Sequence, residues 1–192
     1  GFIGSVCDAE DTAKLLGELP MPVFGAAAHD LFGAGEGKLS LPFKSLLKFD
    51  PTFGPSEAQT TGDCVAHATR NAIDVTRAVE IDIDGQREDF VARGATEAIY
   101  QSRPWSEQGM TCSGAARYVS EQGGILIRKD YGMVDLSVYN SKLGARKMIP
   151  RQIYGNEAQK HQVKTVSNIR TVEEARDALA NGYALGVCSG YG

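Results

Sequence analysis

Apolar residues return at steps of three and four between residues 65 and 79, as Val65, Ala68, Ala72, Val75 and Val79. A repeat of that kind marks one face of a helix, and it predicts a helix opening at Asp63 or Cys64. Thr69, Arg70, Asn71, Asp74 and Arg77 fall largely off that face and are expected on the polar side. Asp63 suits the N-cap, where a carboxylate can accept a hydrogen bond from an unpaired backbone N–H. The turn signal DIDG at 82–85 stops the helix near Glu80. Two more helices are predicted, Arg87 to Gln101 and Gly114 to Gln122, the latter stopped by Gly123-Gly124. TVEEARDALANG at 171–182 reads as a short helix with Thr171 as cap, Glu174 at the capping-box position and Gly182 at its end.

Strand-like patterns flank that last helix. HQVKTVSNI at 161–169 and YALGVCSGYG at 183–192 are read as strands, and ILIRKDYG at 125–132 as strand-like. SVYNSKLGARKM at 137–148 is expected to be helical. KLSLPFKSLLKFDP at 38–51 is expected to run extended, interrupted by Pro42 and closed by Pro51. Residues 1–37 look irregular, and FGPSEAQTTGD at 53–63 has the turn chemistry of a loop. Helices first, then a strand–helix–strand unit, make an α+β pattern. The expected organisation is an irregular N-terminal arm over 1–55, a helical unit over 56–160 and the start of a β-rich unit over 161–192.

Composition narrows the function classes. At 192 residues the chain suffices for one domain or two small ones. A net charge of −4 without any Lys/Arg block argues against a nucleic-acid partner. No apolar run approaches bilayer length, so no membrane partner is expected. The opening GFIGSVCDAEDTAK lacks the order of a signal peptide and begins with Gly, which suggests a processed chain or a fragment. Cys7, Cys64, Cys112 and Cys188 hold no Cys-x-x-Cys pair, so they are read as reduced thiols rather than zinc ligands. No metal or cofactor is expected. Gly33, Gly35 and Gly37 lack the spacing and the preceding strand of a phosphate loop. The acids at 80, 82 and 84 lack the twelfth-position ligand of a calcium loop, since Val91 stands there. Trp105, the single tryptophan, is read as a loop anchor.

One stretch carries chemistry. QTTGDCVAHA at 59–68 places Cys64 after a Gly-Asp turn, at the opening of the predicted helix. Helix N-termini favour negative charge through the dipole and unpaired N–H groups, and the thiolate is the reactive form of cysteine. Gln59 and the backbone N–H of Cys64 could together donate to the oxyanion of an acyl-transfer intermediate. Spacing alone leaves open a cysteine that merely packs.

The same stretch resembles the glutamine-to-cysteine segment of papain-like cysteine peptidases. Residues 95–132 are similar in order to that family's second helix, Cys-containing glycine loop and third helix, and 161–192 to the start of its β-rich domain. The resemblance implies a papain-like α+β fold, with a helical domain whose central helix starts at the cysteine. It makes Cys64 the nucleophile and Gln59 the oxyanion donor, and sets Ser113 and Gly114 near the strip that binds substrate backbone. Four departures stand beside it. The Gln-to-Cys interval is one residue shorter than in papain, Asp63 sets a carboxylate beside the thiol, and the partner cysteine of Cys112 is missing, leaving Cys112 a free thiol. The family's histidine base and its Asn also follow the strand that here runs to Gly192, so the base histidine is expected outside this chain. His67 and His161 are weak substitutes, and nothing nominates His29.

Two functions follow as expectations. The first is a cysteine peptidase, or the larger fragment of one, acting on a peptide or protein substrate and catalytically incomplete as it stands. The second is a non-catalytic structural or binding protein of the same fold. The GDC segment and the DALANGY-type helix resemble proteins encoded by marine bacteriophages, which implies a possible virion component with other virion proteins as partners. The location would otherwise be soluble and cytoplasmic.

Overall fold

The computed structural model describes residues 21–54, 58–85 and 89–187. Residues 1–20 of the expected arm, Arg87 and the last five residues of the expected second strand lie outside the described residues, as do Cys7 and Cys188. In chain order the helices are α1 (Phe24–Ala27), α2 (Phe43–Phe49), α3 (Cys64–Asp82), α4 (Thr96–Gln101), α5 (Cys112–Gln122), α6 (Ser141–Ala145), α7 (Tyr154–Ala158) and α8 (Val172–Ala180). Single 3-10 turns stand at His29–Leu31 and Arg151–Ile153.

α3 is the axis, and α2, α4 and α5 pack around it. Near its end, Val75 and Ala78 enclose Leu46 of α2. Near its start, Val65 and Ala66 meet Ile99 and Tyr100 of α4, Met110, and Ala115 of α5. A third apolar cluster joins Ala95 and Ala98 to Leu126, Leu136, Ile149 and Tyr154. α2 corrects an expectation, because residues 43–49 are helical rather than extended. Pro42 stands immediately before the helix, where a fixed φ and a missing N–H do no harm, and does not interrupt an extended run.

The polar side of α3 is not where the pattern placed it. Asp63, His67, Arg70, Asp74 and Arg77 are all buried, while Ala68 is exposed. Their alternating steps of four and three draw a polar seam along the buried face. Burial of charge is tolerated when partners are at hand, and here they are. Asp74 accepts the N–H of Gly94 on both oxygens, at 3.0 and 3.1 Å. Arg70 Nη1 lies 3.7 Å and Arg93 Nε 4.0 Å from the same carboxylate. Farther along, Arg77 Nη2 stands 3.4 Å from His161 Nδ1. A Cβ at position 94 would come within 2.6 Å of Ile125 Cδ1 and 2.8 Å of Arg70 Cγ, so only glycine brings this backbone up to Asp74.

That attachment also delays α4. Residues 89–95 run extended instead of opening the expected second helix, with Ala95 N–H bonded to Leu126 O at 2.7 Å. α5 matches expectation closely: Thr111 caps it by accepting the N–H of Gly114, and Gly123 ends it.

The expected α+β, papain-like architecture is overturned. Among the described residues the only β pairing is isolated bridges, Val23 with Asn168, Gly94 with Ile127, Gly124 with Gln162 and Asp130 with Asp135. The described part of the expected β-rich unit, residues 161–187, contains α8 and chain that forms no ladder. The reason is visible in the spacing. Val163, Val166 and Ile169 recur every third residue and are only half-buried, so they cannot line one face of a sheet, which needs a period of two. The backbone is satisfied by single bonds instead: Val163 N–H to Gly123 O, Asn168 N–H to Pro22 O, and Ala184 N–H to Thr76 Oγ1.

α8 anchors the arm. Thr171 caps it, accepting the Glu174 N–H at 3.1 Å, while Glu174 reaches back to the N–H of Arg170, one residue before the cap. The glycine-rich turn at 33–35 does cradle an anion, but one from within the chain. Gly33 and Gly35 each donate an N–H at 2.8 Å to the buried Asp177 carboxylate. These bonds hold Asp177 below the usual carboxylate range.

Two outcomes follow. A depressed carboxyl contributes stability that is present above its unfolded pKa and lost as pH falls through the folded value. Asp177→Asn should therefore expose residues 31–40 to faster limited proteolysis at neutral pH, and acidification should do the same to the wild type. Asp74 runs the other way: burial outweighs the attraction of Arg70 and raises it from 3.8 to about 6. Its contribution is complete below 3.8 and is lost as pH rises through about 6. The stability of the wild type relative to Asp74→Asn should fall by about 3 kcal/mol across that window in urea unfolding.

Candidate functional site

Cys64 opens α3 as a free, exposed thiol. The residue before it behaves unexpectedly. Asp63 is the N-cap residue, yet its side chain makes no capping hydrogen bond. It is 1% exposed and points inward, where Oδ2 accepts the Tyr139 hydroxyl at 2.7 Å and stands 3.5 Å from His67 Nε2. The expected cap is thus corrected: the aromatic hydroxyl holds the carboxylate away from the helix N–H groups.

Tyr139 is held from several sides. Its neighbour Asn140 donates its N–H to Glu97 Oε1 at 2.6 Å, and Arg128 pairs with Glu97 Oε2 at 2.6 Å. The Arg128 guanidinium lies 5.8 Å from the Tyr139 ring centre, and the His67 ring meets that ring edge-on at 5.1 Å. Burial, then the Asp63 carboxylate it donates to, push the Tyr139 hydroxyl well above the usual phenol range. It remains a proton donor at every physiological pH.

The three histidines are engaged elsewhere. His67 is buried, with Nε2 toward Asp63 and Nδ1 3.4 Å from Arg70 Nη2. An arginine only donates, so Nδ1 accepts and Nε2 carries the proton. His161 is buried against Arg77. His29 is exposed beside Asp30, at 3.5 Å, in the arm.

Gln59 is exposed in the loop that leads into α3. Its neighbours Ala58 and Thr60 line a cavity of about 460 Å³ together with Asp135, Val138, Tyr139, Asn140, Ser141 and Lys142. Thr60 Oγ1 spans the wall, donating to Ser141 Oγ at 2.6 Å. Ser113 and Gly114 lie in the first turn of α5, and Val65 and Ala115 share one apolar cluster, which brings the opening turns of α3 and α5 together. The N–H of Gly114, however, is already bonded to Thr111 Oγ1 at 3.1 Å, so it is not presented to a substrate backbone. Cys112 is disulfide-bonded, against the expectation of a free thiol.

The loop anchor at Trp105 is present, its indole N–H donating to Gly109 O at 3.2 Å. Sequence reasoning missed the larger anchor beside it. Buried Arg103 donates to the carbonyls of Tyr100, Glu107, Gly144 and Ala145 and lies 4.0 Å over the Tyr100 ring. It also missed Tyr139 and Glu97, for which the sequence carried no signal beyond an aromatic before a turn and a lone acid in a helix. Among the described residues no group of three or more His, Cys, Asp or Glu could hold a metal ion, and no helix is long and apolar enough to cross a membrane.

Position 62 tests how the loops at this end are set. A Cβ on Gly62 would fall 2.9 Å from Gly109 N and 3.0 Å from Gln108 Cβ. Gly62→Ala should cost about 1–3 kcal/mol in thermal unfolding and change the alkylation rate of Cys64, because the two loops must separate. Comparison with known proteins gives this chain no family: no family model, curated protein or solved structure matches it.

Proposed function

We propose that this chain is a cysteine-dependent peptidase, or the nucleophile-bearing part of one, cleaving peptide bonds through a thioester on Cys64. One observation carries the reading: a free, exposed thiol sits at the opening of a 19-residue helix whose cap carboxylate is turned inward. The unpaired N–H groups of such a helix favour negative charge on the sulfur. In the first step Cys64 Sγ bonds to the substrate carbonyl carbon, and the electron pair of the C=O moves to oxygen. The Cys64 N–H and the Gln59 amide are the donors available to that oxyanion. Collapse breaks the C–N bond, and the leaving amine takes a proton from a general acid. Water then adds to the thioester and the thiol leaves.

None of the three histidines is nominated as the proton carrier: His67 and His161 are buried, and His29 stands exposed in the arm. The carrier would be supplied by residues outside this chain. The same placement supports a second reading, a structural or binding module without turnover, for which a role as a virion component with other virion proteins is the partner class.

A peptidyl epoxide separates the two. For a peptidase, Cys64 should be alkylated roughly tenfold or more faster than glutathione at the same pH, and Cys64→Ala should abolish the labelling. A rate equal to glutathione's would leave the structural module as the better account.

A further inference from the structure

The inward turn of Asp63 leaves something unexplained. An N-cap Asp ordinarily accepts a hydrogen bond from the N–H groups just after it, and losing such a cap costs about 1 kcal/mol. Here Oδ2 is taken by Tyr139, and Oδ1, in a side chain 1% exposed, has no hydrogen-bond partner among the described residues. A buried carboxylate oxygen without a partner beside an uncapped helix N-terminus is costly twice over. The arrangement is nevertheless strongly held. Glu97 fixes Asn140, Arg128 fixes Glu97 and covers the Tyr139 ring, and His67 closes the other edge of that ring.

What this cost leaves behind is an opening turn of α3 with no acid laid across it, at the residue that bears the thiol. We propose that Tyr139 is a positioning residue for Cys64: by drawing the Asp63 carboxylate inward, it reserves the first N–H groups of α3 for negative charge on the sulfur or on a substrate oxyanion. This rests on reading Cys64 as the nucleophile. An Asp63 free to cap would compete for those N–H groups and set a like charge beside the thiolate. The charged or titratable groups around the Asp63–Tyr139 pair are His67 and Arg70 on α3 itself, Arg128 from the segment before α6 with Glu97 of α4 paired to it, and Lys142 and Asp135 in the lining of the cavity that Tyr139 helps to form. Tyr139 faces both ways. Its hydroxyl reaches Asp63, and it forms part of the cavity wall beside Gln59, so an occupant of that cavity would touch the residue that sets the thiol's surroundings.

The test follows alkylation of Cys64 by iodoacetamide as a function of pH, in the full 192-residue chain, read by mass spectrometry of the Cys64 peptide. Tyr139→Phe should slow the reaction roughly two- to tenfold at neutral pH while leaving the alkaline plateau unchanged. Adding Asp63→Ala to Tyr139→Phe should restore the wild-type profile, since neither a carboxylate nor any other capping group remains to swing onto the turn. A wild-type profile for Tyr139→Phe in a folded protein, or slowing that the double variant does not reverse, overturns the proposal. Should Tyr139→Phe fail to fold, Asp63→Ser decides. Serine caps the helix without charge, so it should slow alkylation at neutral pH, and an unchanged profile would mean the N–H groups were never reserved. These rates read the thiol alone. The expected profile with peptidyl-epoxide labelling no faster than that of glutathione would overturn the peptidase reading and leave the role of Tyr139 standing, whereas fast epoxide labelling with an unmoved profile would do the reverse.

Discussion

A charge taken out of water must be met by another group, or it shifts its protonation or unfolds its surroundings. α3 and its N-cap residue take five polar side chains out of water along one line, and much of the remaining chain is arranged to meet them. Asp74 draws in the backbone at Gly94 and the guanidinium of Arg93, which in turn reaches Asp50. Arg77 reaches His161, and Asp63 reaches Tyr139. The segments that answer are the ones lacking regular structure. Residues 89–95, the turn before α6 and the stretch after α7 have no ladder of their own, and their positions are set by what they present to α3.

This explains how so irregular a molecule can present a defined site. Cys64 occupies the first position of the same helix, immediately beyond the last buried member of the seam. The seam fixes the rotation of α3 about its axis, and the rotation puts residue 64 outside and residue 63 inside. Geometry at the thiol is therefore inherited from contacts as far along the helix as Gly94 and His161. Arg103 does for the 103–109 loop what the seam does for α3, gathering carbonyls that no helix or sheet would satisfy.

What could be read from the sequence was local. The start of α3, the Gly123 stop of α5 and the Thr171 cap of α8 are each written in a few adjacent residues, and each was legible, whereas the Thr111 cap of α5 lies ahead of the expected start at Gly114. The facing of α3 was not legible, because the rule that charge lies outward fails when the charges find partners far along the chain, and nothing near Arg70 or Asp74 names Gly94. The strand reading of 161–169 failed on period: β-branched residues suggested a strand, but the step of three between Val163, Val166 and Ile169 belongs to no sheet face. Tyr139 was invisible for the same reason as Gly94. Its partner lies 76 residues away, and only the fold brings them together.

The clamp between the arm and α8 has a consequence for how the molecule comes into being. Gly33 and Gly35 are bonded to a carboxylate 144 and 142 residues later in the chain. During synthesis at about 5–20 residues per second, the arm would emerge roughly seven to thirty seconds before Asp177 does. For that interval its glycine N–H groups face water or whatever else is near, while α2 and α3 can already close on Leu46. The arm is thus the earliest segment of the described chain to be made and among the last able to settle. A factor acting on the nascent protein would meet it before its own carboxylate arrives.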